Sequence, residues 1–150
     1  MDIDPSAPAS ASAEAFVDAP PSAVWAVQSD LRSWPEWNPD VGSLDLDGPL
    51  APGTEFRWRS GGTPIRSTLR VVEPERRVGW TGRAPLGIRA THVWTFEPEG
   101  NGTRVRTEEA FDGVLARLFA APLRKMLVRA LESAVAALKA EAERREAATS

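Results

Sequence analysis

Between Val41 and Phe111 apolar and polar residues alternate nearly one for one, with turn-forming residues about every ten positions. That is the pattern of an antiparallel meander with one wet and one buried face. It predicts strands over 42–48, 54–60, 64–73, 76–83, 88–97 and 103–111. The breaks between them are Gly48-Pro49-Leu50-Ala51-Pro52-Gly53, Gly61-Gly62, Glu73-Pro74-Glu75, Ala84-Pro85-Leu86-Gly87 and Pro98-Glu99-Gly100-Asn101-Gly102, all rich in residues that favour turns. Upstream, 10–19 reads as a further strand ending in Phe16 and Val17. Ala19-Pro20-Pro21-Ser22 then opens a short helix over 23–27, and Ser33 before Trp34-Pro35 reads as the N-cap of a second. From 114 to 145 the period changes to three and four: Leu115, Leu118, Leu123, Leu127, Leu131, Val135 and Leu138 lie on one stripe. Pro122 lies inside that stripe, which predicts a break and a long helix starting near 121. Residues 1–9 are too poor in apolar side chains to offset ordering and are expected to fray, leaving 10–146 as a single domain. The expected architecture is α+β: seven antiparallel strands, two short helices after the first, and a long C-terminal helix burying its stripe on the sheet.

Strand parity assigns the faces, since alternate residues point the same way. Phe56 and Trp58 share a face, as do Ile65, Ser67, Leu69 and Val71; Val78 and Trp80; His92, Trp94 and Phe96; and Val105, Thr107, Glu109 and Phe111. The opposite faces carry Glu55, Arg57, Arg59, Arg66, Arg70, Arg104, Arg106 and Glu108. A bulge near Glu108-Glu109 would exchange which of those two carboxylates faces inward.

Composition narrows the chemistry. The chain of 150 residues has no cysteine and one histidine, which excludes disulfides, thiolate metal sites, cysteine nucleophiles and multi-histidine metal centres. The glycines cluster in hairpin turns and not between a strand and a helix, so no phosphate-binding loop or dinucleotide fingerprint is present, and no cofactor is expected. The net charge is −3. Residues 1–50 hold nine acids against one base, so the remainder is basic by five. No nucleic-acid signature accompanies its arginines, and they read as a solvated outer face, with no nucleic-acid partner expected. No apolar run reaches the ~18 residues of a membrane span, and the start lacks a basic signal-peptide region. The expectation is a cytoplasmic protein, monomeric or weakly dimeric.

Of six tryptophans, Trp58, Trp80 and Trp94 share the inward face opposite a helix rich in alanine. A curved sheet closing over a straight helix leaves a gap at one end, and wide aromatics around it would make an apolar pocket. The candidate ligand-binding residues are Trp37, Phe56, Trp58, Leu69, Trp80, His92, Trp94, Phe96, Glu109, Phe111, Phe119 and Met126. His92 and Glu109 are the two inward titratable groups. An inward imidazole needs a partner, and an unpaired buried carboxylate has a raised pKa, which makes both candidate acid/base groups.

Three local motifs, in order, resemble the START and polyketide cyclase/dehydrase-like superfamily of helix-grip proteins. They are Val17-Asp18-Ala19-Pro20-Pro21-Ser22-Ala23-Val24-Trp25; Asp30-Leu31-Arg32-Ser33-Trp34-Pro35-Glu36-Trp37-Asn38-Pro39; and Trp94-Thr95-Phe96-Glu97-Pro98 with Gly102-Thr103-Arg104-Val105. The resemblance covers about residues 10–145. It implies a seven-stranded sheet gripping the C-terminal helix around a hydrophobic cavity. Members include lipid carriers, hormone receptors and aromatase/cyclases, so the fold implies a pocket and leaves its chemistry to the site.

Two functions follow. One is a carrier or sensor of a hydrophobic, aromatic or polycyclic small molecule, with His92 as an orienting hydrogen bond. The alternative is a cyclase- or dehydratase-type enzyme using the same pocket, with Glu109 or His92 moving a proton. Cyclase members often use pocket tyrosines, and this chain has no tyrosine, which favours the carrier.

Overall fold

The structure, a computed structural model, describes residues 1–149. The elements run β1 (Ala9–Val17), α1 (Pro21–Gln28), a single 3₁₀ turn (Leu31–Ser33) leading into α2 (Trp34–Trp37), β2 (Val41–Leu46), β3 (Glu55–Ser60), β4 (Thr63–Glu73), β5 (Arg77–Arg83), β6 (Arg89–Glu99), β7 (Gly102–Asp112), α3 (Val114–Leu118) and α4 (Ala120–Thr149). The strands form one antiparallel sheet in the order β1-β7-β6-β5-β4-β3-β2. The meander β2 to β7 needs only hairpins, whereas β1 crosses over to pair with β7 from Ala9 opposite Phe111 to Val17 opposite Thr103. The seven-stranded α+β architecture expected from the alternation is thus present.

Local chemistry explains the helix boundaries. Pro21 occupies the first turn of α1, where its missing N–H would have had no intrahelical acceptor. Ser33 precedes α2 as expected but does not cap it with its side chain; its hydroxyl donates instead to the Asp30 carbonyl at 2.8 Å. The break in the C-terminal helix falls at Phe119 (φ −120°, ψ 37°) and not at Pro122, which fits within the first turn of α4. Along α4 the buried positions are Leu127, Leu131, Val135, Leu138 and Ala142, one face laid chiefly along β1 with α1 on its flank.

One strand departs from simple parity. Leu69 pairs with Trp80 and Val71 with Gly79, so Arg70 is an extra residue in β4. This bulge turns Val71 away from the inward face where alternation placed it, and Val72, opposite buried Val78, packs on the core in its place.

Residues 1–8, expected to fray, turn back across the outer face of the sheet. The Ser6 N–H and hydroxyl both donate to Asp4 Oδ1 (2.9 and 2.7 Å), closing an Asx-type turn. Asp2 lies 3.6 Å from Arg77. The Met1 methyl takes the place that a side chain at Gly79 would fill.

The core runs from Val17, Val24 and Val27 through Leu31, Trp34, Phe56, Leu69, Val78, Trp80, Trp94 and Phe96 to Val135 and Leu138. Leu127 is 1% exposed on the buried face of α4. A carboxylate there would be unpaired, at a cost of several kcal/mol against a total stability on the order of 5–15 kcal/mol. Leu127→Asp is therefore expected to be unfolded or insoluble; a circular-dichroism melt matching the parent would show that this face of α4 does not close the core.

Candidate functional site

The inward face of the sheet is a grid of cross-strand rows. In one row Leu69, Trp80, His92 and Glu109 stand side by side on β4 to β7. Toward the turn that joins β5 to β6, the next row is Ser67, Gly82, Ala90 and Phe111. Toward the opposite end come Val78, Trp94 and Thr107. The register has no bulge between β6 and β7, so Glu109, and not Glu108, faces inward opposite His92.

Large rings fill the closed end and the middle. Trp34 inserts among them, 5.4 Å from Trp80, 5.6 Å from Trp58 and 6.2 Å from Phe56 between ring centroids. Its indole N–H is satisfied by the Gln28 carbonyl at 3.0 Å. Trp58 donates to the Ser67 hydroxyl at 3.1 Å, and Trp25 meets Phe96 edge-on. Phe56, Leu69, Trp80, Trp94 and Phe96 are consequently packed against neighbouring side chains and almost completely buried. The open end is different. Ser67, Gly82 and Ala90 are small, Ile65 and Ser67 take the space beside Gly82, and Ala90 and Phe111 are only half-buried, whereas the Glu109 side chain keeps 14% exposure.

His92 and Glu109 meet at the boundary between these two regions. The imidazole is held between the rings of Trp80 (4.7 Å) and Trp94 (5.8 Å, nearly parallel). Its Nε2 shares a 2.7 Å hydrogen bond with the Thr107 hydroxyl. Its Nδ1 lies 3.4 Å from Glu109 Oε2 but makes no hydrogen bond. Burial among apolar rings disfavours charge on either group: it pushes Glu109 up to about 8 and His92 down to about 3. At neutral pH the pair therefore holds a protonated carboxyl and a neutral imidazole. The buried indole N–H groups of Trp94 and Trp37 also have no acceptor, and the buried Gln28 Oε1 has no donor.

Beyond this end of the inward face three large apolar side chains are exposed. Leu86, at the tip of the β5–β6 turn with φ 65°, is 81% exposed, and Val114 and Leu118 on α3 are exposed to a similar degree. Gly113 joins β7 to α3 at φ 119°, with its α-carbon so close to the Gly87 carbonyl that a side chain would collide with it. That contact ties α3 to the turn bearing Leu86.

Of the expected site residues, Phe56, Trp58, Leu69, Trp80, His92, Trp94, Phe96 and Glu109 share the inward face, with Phe111 at its open end and Trp37 half-buried on α2. Phe119 and Met126 do not join them: they are 54% and 52% exposed. The helix break at Phe119 resets the phase of the stripe, and Met126 stands about 100° round the helix from buried Leu127. Trp34 is the aromatic that strand parity could not supply, because it comes from a one-turn helix. Its signal was its spacing from Trp37, which puts two indoles on one side of that turn. Among the described residues no three His, Cys, Asp or Glu side chains converge to hold a metal ion, and no helix is long and apolar enough to cross a membrane.

The sequence profile of the family described as polyketide cyclase/dehydrase and lipid transport matches residues 8–143, and the chain belongs to that family. None of the curated protein sequences compared with the chain matches it. Among solved structures it is similar to the hypothetical protein jhp0584 from Helicobacter pylori, with a TM-score of 0.84 at 18% identity over 93% of this chain and 91% of that one. TTHA0849 from Thermus thermophilus gives a TM-score of 0.73 at 25% identity, covering 94% of this chain and 99% of that one. The Zhui aromatase/cyclase from Streptomyces sp. R1128 gives 0.74 at 17% identity, covering 91% and 94%.

The His92–Glu109 pair has a characteristic signature in stability against pH. Glu109 stays protonated in the folded chain up to about pH 8 but ionises near 4.5 when unfolded, so its contribution is lost as pH rises from 4.5 through 8. His92 stays neutral in the folded chain down to about pH 3 but is protonated below 6.5 when unfolded, so its contribution is lost as pH falls from 6.5 towards 3. The two slopes oppose one another between 4.5 and 6.5 and act alone outside that window, each at up to about 1.4 kcal/mol per pH unit. In urea unfolding, Glu109→Gln should remove the parent's loss of stability between pH 6.5 and 8, and His92→Asn should flatten its loss below pH 4.5. An unchanged alkaline limb in Glu109→Gln would mean that the carboxylate is solvated and ionised.

Proposed function

We propose that the chain binds a hydrophobic, aromatic or polycyclic small molecule that carries carbonyl or hydroxyl oxygens, and acts as its carrier or sensor. The observation that carries this reading is the position of the His92–Glu109 pair. Two neutral polar groups lie beside a row of small residues, against aromatic rings, at the end of the inward face near the exposed Leu86, Val114 and Leu118. A neutral Glu109 carboxyl and the free indole N–H of Trp94 are donors seeking acceptors, which matches a ligand bearing carbonyl oxygens. Among the described residues the site offers no buried cation to an anionic ligand.

The same protonation states argue against proton-transfer chemistry. A base working near neutrality needs a pKa close to the ambient pH. Glu109, at about 8, is mostly protonated there and can only donate a proton, and neutral His92, whose conjugate acid lies at about 3, is too weak a base to take one up. Both groups are better suited to orienting a ligand than to reacting with it.

The test uses a neutral probe, so that surface charge plays no part. Nile red, or a planar flavone, should quench tryptophan fluorescence saturably at one site per chain. Ala90→Phe, which fills the small row in front of Glu109, should abolish the quenching in a protein that still melts cooperatively. Glu109→Gln and His92→Ala should each weaken binding by no more than about tenfold, as for loss of one hydrogen bond worth roughly 0.5–1.5 kcal/mol, and mass spectrometry should recover the flavone unaltered. Absence of saturable quenching would sink the pocket. Turnover that vanishes in Glu109→Gln would make the chain an enzyme with Glu109 as its proton donor.

A further inference from the structure

The outer face of the sheet carries an arrangement that alternation along single strands does not reveal. Arg57 on β3 pairs with Arg66 on β4, Arg66 with Arg83 on β5, and Arg83 with Arg89 on β6. Four arginines thus stand directly opposite one another across four adjacent strands, each about 4.5–5.5 Å from the next at the backbone. Like charges placed directly opposite repel and destabilise a sheet. The acids on this row stand only at its ends: Asp45 lies opposite Arg57 and Asp112 opposite Arg89. Arg57 is held by Asp47 at 3.4 Å and Arg89 by Asp112 at 3.1 Å. The two central guanidiniums, Arg66 and Arg83, have no hydrogen-bond or ion-pair partner among the described residues.

The adjoining row supplies neutral donors. Thr68, Thr81 and Thr91 stand opposite one another on β4, β5 and β6, and Arg70, on the β4 bulge, donates to the Thr81 hydroxyl at 2.9 Å. Arg66, Arg70, Arg83, Arg89 and the threonines floor a cleft of about 650 Å³ whose edges are acidic: Glu55 on β3 opposite Thr68, Asp112 on β7, and Asp2 and Asp4 of the N-terminal segment. A second cleft of about 350 Å³ reaches Arg66 and Arg83 from the β3 side.

We propose that this outer face is a binding site for a soluble polyphosphate-bearing anion, seated on Arg66 and Arg83 with the threonine hydroxyls beneath it. Guanidinium forks match phosphate oxygens in paired hydrogen bonds. A row of forks at cross-strand spacing offers successive phosphoryl groups successive forks, which one isolated phosphate cannot use. An occupant with several negative charges also removes the repulsion that the empty row carries. The tail carboxylates of Asp2 and Asp4 lie at the rim, where they hold the affinity for an anion below what the arginine row alone would give. This site is on the opposite side of the sheet from the His92–Glu109 pair and does not depend on it.

Inorganic triphosphate is the probe, titrated calorimetrically at low ionic strength in a phosphate-free buffer. One triphosphate should bind per chain, at least about tenfold more tightly than orthophosphate. Arg66→Gln and Arg83→Gln should each weaken it at least about tenfold, as for loss of a charged hydrogen-bond pair. Arg129→Gln, on the exposed side of α4, should leave it unchanged, and Asp2→Asn with Asp4→Asn should tighten it. Without ligand, both row variants should melt at or above the parent temperature, because each removes a like-charged neighbour; lost binding is then not lost folding. No saturable heat overturns the proposal, as does equal weakening by Arg129→Gln, which would mean diffuse charge attraction. Binding to phosphatidylserine-containing vesicles that triphosphate does not compete overturns it in favour of a membrane surface.

Discussion

A single helix cannot cover a seven-stranded sheet, and much of this molecule is a response to that mismatch. At about 4.8 Å per strand the sheet is about 29 Å wide, whereas a helix with its side chains is about 10–12 Å across. Pairing of β1 with β7 decides where the helix goes, since α4 lies chiefly along β1. The inward faces of β3 to β6 are left to be covered by something else. The short α1–α2 segment does this, and Trp34 is its main instrument, touching Phe56, Trp58 and Trp80 at once. Where that segment stops, small residues and a polar pair begin.

The polar pair is expensive, and its surroundings show how the cost is contained. Neither His92, between Trp80 and Trp94, nor Glu109 beside it can be charged cheaply when buried, so both are driven toward neutrality, in opposite directions on the pH scale. Thr107 satisfies one imidazole nitrogen. The other nitrogen and two indole N–H groups remain without partners, and unsatisfied donors on the inner face of a protein are a reservoir of binding energy for a ligand that brings acceptors. The family to which the chain belongs takes its description from cyclases, dehydrases and lipid transport, and in this chain the site is made by the same strand rows that build the core.

The two faces of the sheet solve opposite problems. Inside, rows of rings attract and exclude water. Outside, a row of arginines repels, and the sheet accommodates it because the guanidiniums reach into solvent and because Asp47 and Asp112 neutralise the ends. The N-terminal segment, acidic and poor in apolar residues, settles on this outer face: Asp2 meets Arg77, and Met1 covers the bare backbone at Gly79. Its low apolar content forecast fraying, but charge and one methionine give it a place to lie.

Period-two alternation from Val41 to Phe111, period-three-and-four spacing after 114 and the proline-marked helix starts determined the sheet, the order of its elements and the inward side of most strands. They pointed His92 inward and left Glu108 or Glu109 as its neighbour, which the unbroken β6–β7 register resolved as Glu109. These are properties of local geometry, because a strand or helix presents its side chains with a period that the chain itself carries. What only the tertiary structure decided are matters of register, phase and insertion. A one-residue bulge at Arg70 exchanges Val71 for Val72 on the core, a break at Phe119 sends Phe119 and Met126 to the surface, and Trp34 enters the sheet from a turn too short to have a period. Pairing also sets Arg57, Arg66, Arg83 and Arg89 in line, although they are spread over 33 positions of chain. Which residues stand opposite one another across strands is fixed by hydrogen-bond register and turn length, and neither is written in the alternation of any single strand.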